Sequence, residues 1–134
     1  MTTTRLMLTS HPVDPFATYD ELSACVDACL ACAQACTTCA DACLAEEHVA
    51  DLRGCIRTDA DCADVCTATA AVLSRQTAPD LRLVVALLEA CVAACASCAE
   101  ECEQHAGMHA HCQVCAEACR RCEAACRTLL ASLA

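Results

Sequence analysis

The sequence predicts an all-α fold, an antiparallel up-down-up-down four-helix bundle preceded by a short N-terminal arm or helix, and three observations lead there. Cysteines fall at Cys25, Cys29, Cys32, Cys36, Cys39 and Cys43 in an unbroken 4-3 rhythm, which puts every thiol on one stripe of a helix. The chain carries 30 alanines against 2 glycines and 3 prolines, a balance that favours helix and argues against a sheet. Four stretches of similar length repeat the striped pattern and are separated by short turn signals, as in a bundle with short connections.

Residues 1–17 contain Pro12 and Pro15 and are expected to form the arm. There Leu6, Met7, Leu8, Val13 and Phe16 are apolar enough to pack on the bundle, which takes residues 18–134. The first long helix is expected to start near Thr18, because Thr18-x-x-Glu21 has the form of a capping box, and to run to about Glu46. After a break around His48–Asp51, the second spans about Asp51 to Gln76, with Thr77, Ala78 and Pro79 ending it. Pro79 suits the first turn of the third helix, where its missing N–H costs nothing. That helix reads to His105 or Ala106, with Gly107 as the C-terminal stop. The fourth begins near His109 and continues almost to Ala134.

The same rhythm can be followed along each seam. The first helix leads with Leu22 and then its six cysteines; the second has Cys55, Asp59, Cys62, Cys66, Thr69 and Leu73. The third runs Leu81, Val84, Leu88, Cys91, Cys95, Cys98, Cys102, His105 and His109. The fourth has Cys112, Cys115, Cys119, Cys122 and Cys126, then Leu129 and Leu133. Antiparallel packing therefore gathers Leu22, Leu73, Leu81, Val84, Leu88, Leu129 and Leu133 into an aliphatic plug at one end. The other end collects Cys43, His48, Cys55, Cys102, His105, Met108, His109, His111 and Cys112. A thiol column closed at one end and ligand-rich at the other is the expected result.

Composition removes several function classes. The net charge is −10 and the 8 basic residues are not clustered, so a nucleic-acid footprint is missing. The acidic surface serves solubility and modestly attracts cations. No apolar run is expected to reach the 18 residues of a membrane span. The N-terminal residues show no signal-peptide pattern, so a cytoplasmic protein with reduced thiols is expected.

Few chemistries need so many thiols in a core. A free thiol packs like a small hydrophobe, which explains two or three cysteines but not 18 on four seams. Disulfides within one helix are disfavoured by geometry, although bridges between helices remain open. Cys29-x-x-Cys32, Cys36-x-x-Cys39, Cys95-x-x-Cys98, Cys112-x-x-Cys115 and Cys119-x-x-Cys122 resemble redox motifs. They are links in longer stripes, however, and lack the single activated helix start that exchange chemistry uses. Structural zinc wants isolated sets of four ligands, and iron–sulfur clusters want cysteines on loops around a cofactor. Cu(I) is soft, accepts two or three sulfurs and tolerates bridging thiolates. At two thiolates per ion, each shared by two ions, the ratio is about one copper per cysteine, or roughly 18 ions. Each Cu(I) then replaces about one thiol proton, so filling the core leaves its charge nearly unchanged.

These Cys-x-x-x-Cys-x-x-Cys stripes, the alanine-rich helices and the turn bearing His and Met resemble the bacterial copper storage proteins, in their cytosolic branch, over about residues 18–132. The resemblance implies storage of multiple Cu(I) ions in the core of a four-helix bundle, a homotetramer, and loading through the His/Met end. No reaction is expected to be catalysed. A copper chaperone or a small thiol is the candidate donor. All 18 cysteines are expected ligands. His105, Met108 and His109, with His111 and His48, are expected to pass ions to Cys43, Cys55, Cys102 and Cys112. Asp59 is placed to cap a copper site or to bond to thiols, or else to sit partly solvated near the mouth. A thiol-disulfide redox protein or a zinc-thiolate buffer remains the alternative.

Overall fold

A computed structural model describes residues 2–134; Met1, part of the expected arm, lies outside them. The described residues form helices α1 (Thr3–Ser10), α2 (Tyr19–Leu44), α3 (Arg53–Leu73), α4 (Leu81–His105) and α5 (Ala110–Leu133), with a 3₁₀ turn at Val49–Leu52 and no strand among them.

Sulfur contacts give the helix directions. Going up α2, Cys25, Cys32 and Cys36 meet Cys126, Cys119 and Cys115 of α5 in descending order, so α2 and α5 are antiparallel. Cys55, Cys62 and Cys66 of α3 likewise meet Cys102, Cys95 and Cys91 of α4. Across the centre, Cys29 and Cys36 of α2 meet Cys91 and Cys98 of α4 in ascending order. Neighbours are antiparallel and diagonal partners parallel.

The helix ends follow local chemistry, with some departures from the expected boundaries. Thr18 caps α2 by accepting the Glu21 amide at 3.1 Å, but the other half of the capping box is not made and Glu21 Oε2 lacks a partner. α3 begins at Arg53, because a 3₁₀ turn absorbs the residues before it, and ends at Leu73. Pro79 is not in the first turn of α4: Asp80 is the N-cap and accepts from the Arg82 amide at 3.0 Å. Ala78 just before it holds φ of 50°, a left-handed turn conformation unusual for a residue with a Cβ. Gly107 is not a left-handed stop either. The α4 end is closed by the Met108 and His109 amides, both donating to the His105 carbonyl.

At the plug, Leu22, Leu73, Val84, Leu88 and Leu129 are all within 1% of complete burial. Leu81 is a correction: it is 46% exposed, because it opens α4 one turn beyond the packed layer. Leu133 is partly buried at the end of α5. About half of the N-terminal arm is α1, held to α2 by Thr2 donating to Asp27 at 2.8 Å and by the Arg5–Asp20 ion pair. Leu8 is its buried anchor and Phe16 packs partly. Leu6, Met7 and Val13 stay exposed, since one short helix can turn only one face inward.

Contrary to the expectation from apolar runs, α2 and α4 are long and apolar enough to cross a membrane by length and composition. Alanine and cysteine supply that hydropathy in α2, leucine and valine add most of it in the first half of α4, and the cysteine face of each helix is buried inside the bundle.

Candidate metal centre

All 18 cysteines are free and none is more than 1% exposed. Cysteines repeated at 4-3 seam positions turn their sulfurs toward the bundle axis, so the sulfurs of four helices merge into one column. Neighbouring sulfurs lie 3.6 Å apart at Cys25–Cys126 and Cys29–Cys122, 3.7 Å at Cys32–Cys119 and 3.8 Å at Cys62–Cys95. With metal–sulfur bonds of ~2.3 Å, sulfurs of one trigonal or tetrahedral shell sit ~3.8–4.0 Å apart. The column is close to liganding spacing without rearrangement of its helices.

The sulfurs form overlapping groups of four: Cys29, Cys91, Cys122, Cys126; Cys32, Cys66, Cys95, Cys122; Cys32, Cys36, Cys62, Cys119; and Cys36, Cys98, Cys115, Cys119, each within 4.8 Å. Cys32, Cys36, Cys119 and Cys122 each belong to two of these groups, so ions held at neighbouring groups would share ligands. Mutual S–H donation polarises the column. The Cys126 thiol holds Cys25 down to about 5, and the Cys119 thiol holds Cys62 at about 6. Cys36 is pushed up, first by its bond with Cys115.

Asp59 is fully buried, which removes the partly solvated option left open by the sequence. Its carboxyl accepts from Cys98 at 3.0 Å and Cys115 at 3.2 Å, with Cys102 and Cys55 at 3.7 and 3.8 Å. Burial, then the bond to Cys98, pushes its pKa up to about 12. The neutral carboxyl can donate one hydrogen bond and accept others in the dry core.

The other end opens into a cavity of about 450 Å³ lined by Glu46, Glu47, His48, Asp51, Leu52, His105, Met108, His109, Ala110 and His111. A larger groove of about 550 Å³ on the α4–α5 surface contains no thiol among its lining residues. Of the predicted loading residues, His111 is the one that contacts sulfur: its Nδ1 is 3.4 Å from Cys39 and 3.6 Å from Cys112. With Cys43 these make a Cys₃His group within 4.8 Å. Burial draws the His111 pKa down, but its bonds to Cys39 and Glu46 outweigh that and the net shift is upward. Cys39 is lowered to about 6, chiefly by Cys102, whereas burial raises Cys43 and Cys112.

The remaining candidates lie further out. His105 Nε2 is 3.5 Å from Glu101 Oε1, and His109 Nδ1 pairs with Glu46. Met108 is 80% exposed and His48 is exposed. Glu46 and Glu101 were missed from the sequence. The signals were there: Glu46 follows Cys43 by three residues and continues the α2 stripe, and Glu101 precedes His105 by four on α4.

Comparison with known proteins gives a match of residues 18–131 to the family model described as copper storage protein. A Streptomyces lividans structure described as the copper storage protein Ccsp loaded with 10 copper equivalents is 58% identical, with a TM-score of 0.95. The alignment covers 97% of this chain and 99% of that one. A second S. lividans structure, described as copper loading to a cytosolic copper storage protein with five coppers, is 63% identical with a TM-score of 0.85, covering 86% and 96%. The uncharacterised cysteine-rich protein YhjQ of Bacillus subtilis (strain 168) is 42% identical over 113 residues, 81% of this chain and 94% of that protein.

Proposed function

The chain belongs to the copper storage protein family, and from that premise we propose that it stores many Cu(I) ions on the thiolates of its core, filled through the His-bearing end. The observation that carries this reading is the sharing of Cys32, Cys36, Cys119 and Cys122 between adjacent groups of four. Isolated zinc sites do not need shared ligands, whereas Cu(I) with bridging thiolates does. Cys25, Cys29, Cys32, Cys36, Cys39, Cys43, Cys55, Cys62, Cys66, Cys91, Cys95, Cys98, Cys102, Cys112, Cys115, Cys119, Cys122 and Cys126 are assigned as ligands. His111 joins them at the mouth, and His105, Met108 and His109 serve as outer stations. Asp59 acts among the sulfurs as a hydrogen-bond partner.

Entry of copper is a ligand exchange. An ion arriving at the mouth meets imidazole first, then Cys39, Cys43 and Cys112, and thiol protons leave as thiolate–copper bonds form. Softer sulfur then holds it more firmly than imidazole, so transfer inward is downhill. No bond of a substrate is made or broken, and the protein is read as a store rather than an enzyme. Its cytosolic address follows the description of the S. lividans relative. The homotetramer follows the family resemblance, and α4 offers an outward apolar face at Leu83, which is 53% exposed. A copper chaperone or a small thiol is the proposed donor.

The test is anaerobic titration of the reduced protein with Cu(I) against a chromogenic chelator, with zinc in parallel. Uptake near one ion per thiol, with zinc displaced, is expected. Saturation after one or a few ions, or a preference for zinc, overturns the storage reading.

A further inference from the structure

One oxygen of Glu46 joins two histidines of the mouth. Its Oε2 is 3.2 Å from His111 Nε2 and also pairs with His109 Nδ1, and the two rings stack with centroids 5.6 Å apart. The carboxylate reaches them because Glu46 lies in the turn after α2 while His109 is the N-cap residue of α5. The His109 side chain makes no capping bond to its own helix, so it is available to Glu46.

A carboxylate accepts hydrogen bonds and does not donate them. Each histidine nitrogen facing Glu46 therefore carries its hydrogen, and in the neutral ring, the form that binds metal, the opposite nitrogen holds the lone pair. For His111 that is Nδ1, the atom 3.4 Å from Cys39 and 3.6 Å from Cys112. For His109 it is Nε2. We propose that Glu46 is a positioning residue for copper loading, fixing His109 and His111 in opposite tautomers so that the first offers Nε2 to an arriving ion and the second offers Nδ1 beside the thiols. Histidine ligands elsewhere are commonly oriented by a carboxylate on the far nitrogen, and losing that partner lowers metal affinity about 10- to 100-fold. Here a single carboxylate orients two rings in series, whereas His105 depends on a different one, Glu101.

The inference rests on the storage reading, and its first test needs no copper. In ¹⁵N-labelled reduced protein, the His111 and His109 ring nitrogens are read by NMR in the parent, Glu46→Gln and Glu46→Ala. The parent is expected to show His111 as the Nε2–H form and His109 as the Nδ1–H form. Glu46→Ala is expected to scramble both, while Glu46→Gln, which can still accept through its amide oxygen, keeps the His111 form. Stopped-flow uptake of the first Cu(I) equivalent should then slow at least about tenfold in Glu46→Ala and be largely restored in Glu46→Gln. Asp41→Ala, an exposed carboxylate near the end of α2 and outside the mouth lining, controls for loss of negative charge.

Unchanged tautomers in Glu46→Ala overturn the proposal. So does equal slowing of Glu46→Gln and Glu46→Ala that disappears at high salt, which is the signature of cation attraction alone. A parent copper count far below one per thiol counts against storage itself and leaves the tautomer result standing.

Discussion

The carboxyl of Asp59 accepts the thiol of Cys98 at 3.0 Å in the interior of the bundle, where Cys115, Cys102 and Cys55 also turn their thiols toward it. The group sits well above its ordinary value of 3.8, at about 12, because burial penalises its charge and the surrounding thiols add to that penalty. It is therefore protonated in the folded apo-protein where the unfolded chain has lost the proton.

That difference fixes a sign. The folded state binds more protons than the unfolded state as pH rises above the ordinary carboxyl value, so unfolding becomes easier from about pH 4 toward neutrality. The slope is at most about 1.4 kcal/mol per pH unit. Asp59→Asn removes the titrating group and should flatten the profile, leaving the apo-variant as stable as the parent or up to about 4 kcal/mol more stable at pH 7. Anaerobic urea unfolding between pH 4.5 and 7 reads this directly, and a parallel slope in both proteins contradicts it.

Shared sulfurs should be worth more copper than terminal ones. Cys36 belongs to two groups of four, whereas Cys25 bonds to Cys126 next to the plug. Cys36→Ser is expected to lower the copper count by one to two ions and Cys25→Ser by about one at most, by the bridging logic of Cu(I) thiolates. Chelator competition followed by mass spectrometry of the loaded protein counts the loss.

The plug is a matter of stability, not of liganding. Leu88 is completely buried, so Leu88→Ala should destabilise the apo-bundle by about 2–5 kcal/mol. Copper capacity should be retained, because no sulfur is removed. A denaturant midpoint shift without a change in final copper count is the expected pair of results.

At the mouth the histidines should not be equivalent. His111→Ala removes the one imidazole in contact with thiols and should slow uptake of the first ions at least about tenfold. His105→Ala and His109→Ala should have smaller effects on the same stopped-flow traces. If all three load as fast as the parent, the histidines are not a relay.

The thiol column was legible in the sequence because a 4-3 spacing converts directly into a helix face, and four such faces can only meet inside a bundle. Leu22, Leu73, Val84, Leu88 and Leu129 were found for the same reason. Leu81 was misplaced because periodicity does not say where packing stops, and α4 begins beyond the last buried layer. Asp80 displaced Pro79 as the start signal since its side chain satisfies a free amide that proline cannot. Full burial of Asp59 could not be decided from its seam position, because depth along the axis depends on the register of all four helices. The bonds of Glu46 to His109 and His111 join residues more than sixty positions apart, a relationship created only when α5 returns beside α2.

Leu22, Leu73, Leu88 and Leu129 seal the far end of the column, and this has a consequence for exchange. Ions that enter only at the His-bearing mouth and pass from site to site would overtake one another slowly, so the store is expected to behave as a stack: the last to arrive is the first to leave. Protein filled first with one copper isotope and then topped up with another should release the second isotope ahead of the first. Its oldest copper would be the most slowly renewed, giving a single small bundle both a readily spent fraction and a long-held reserve.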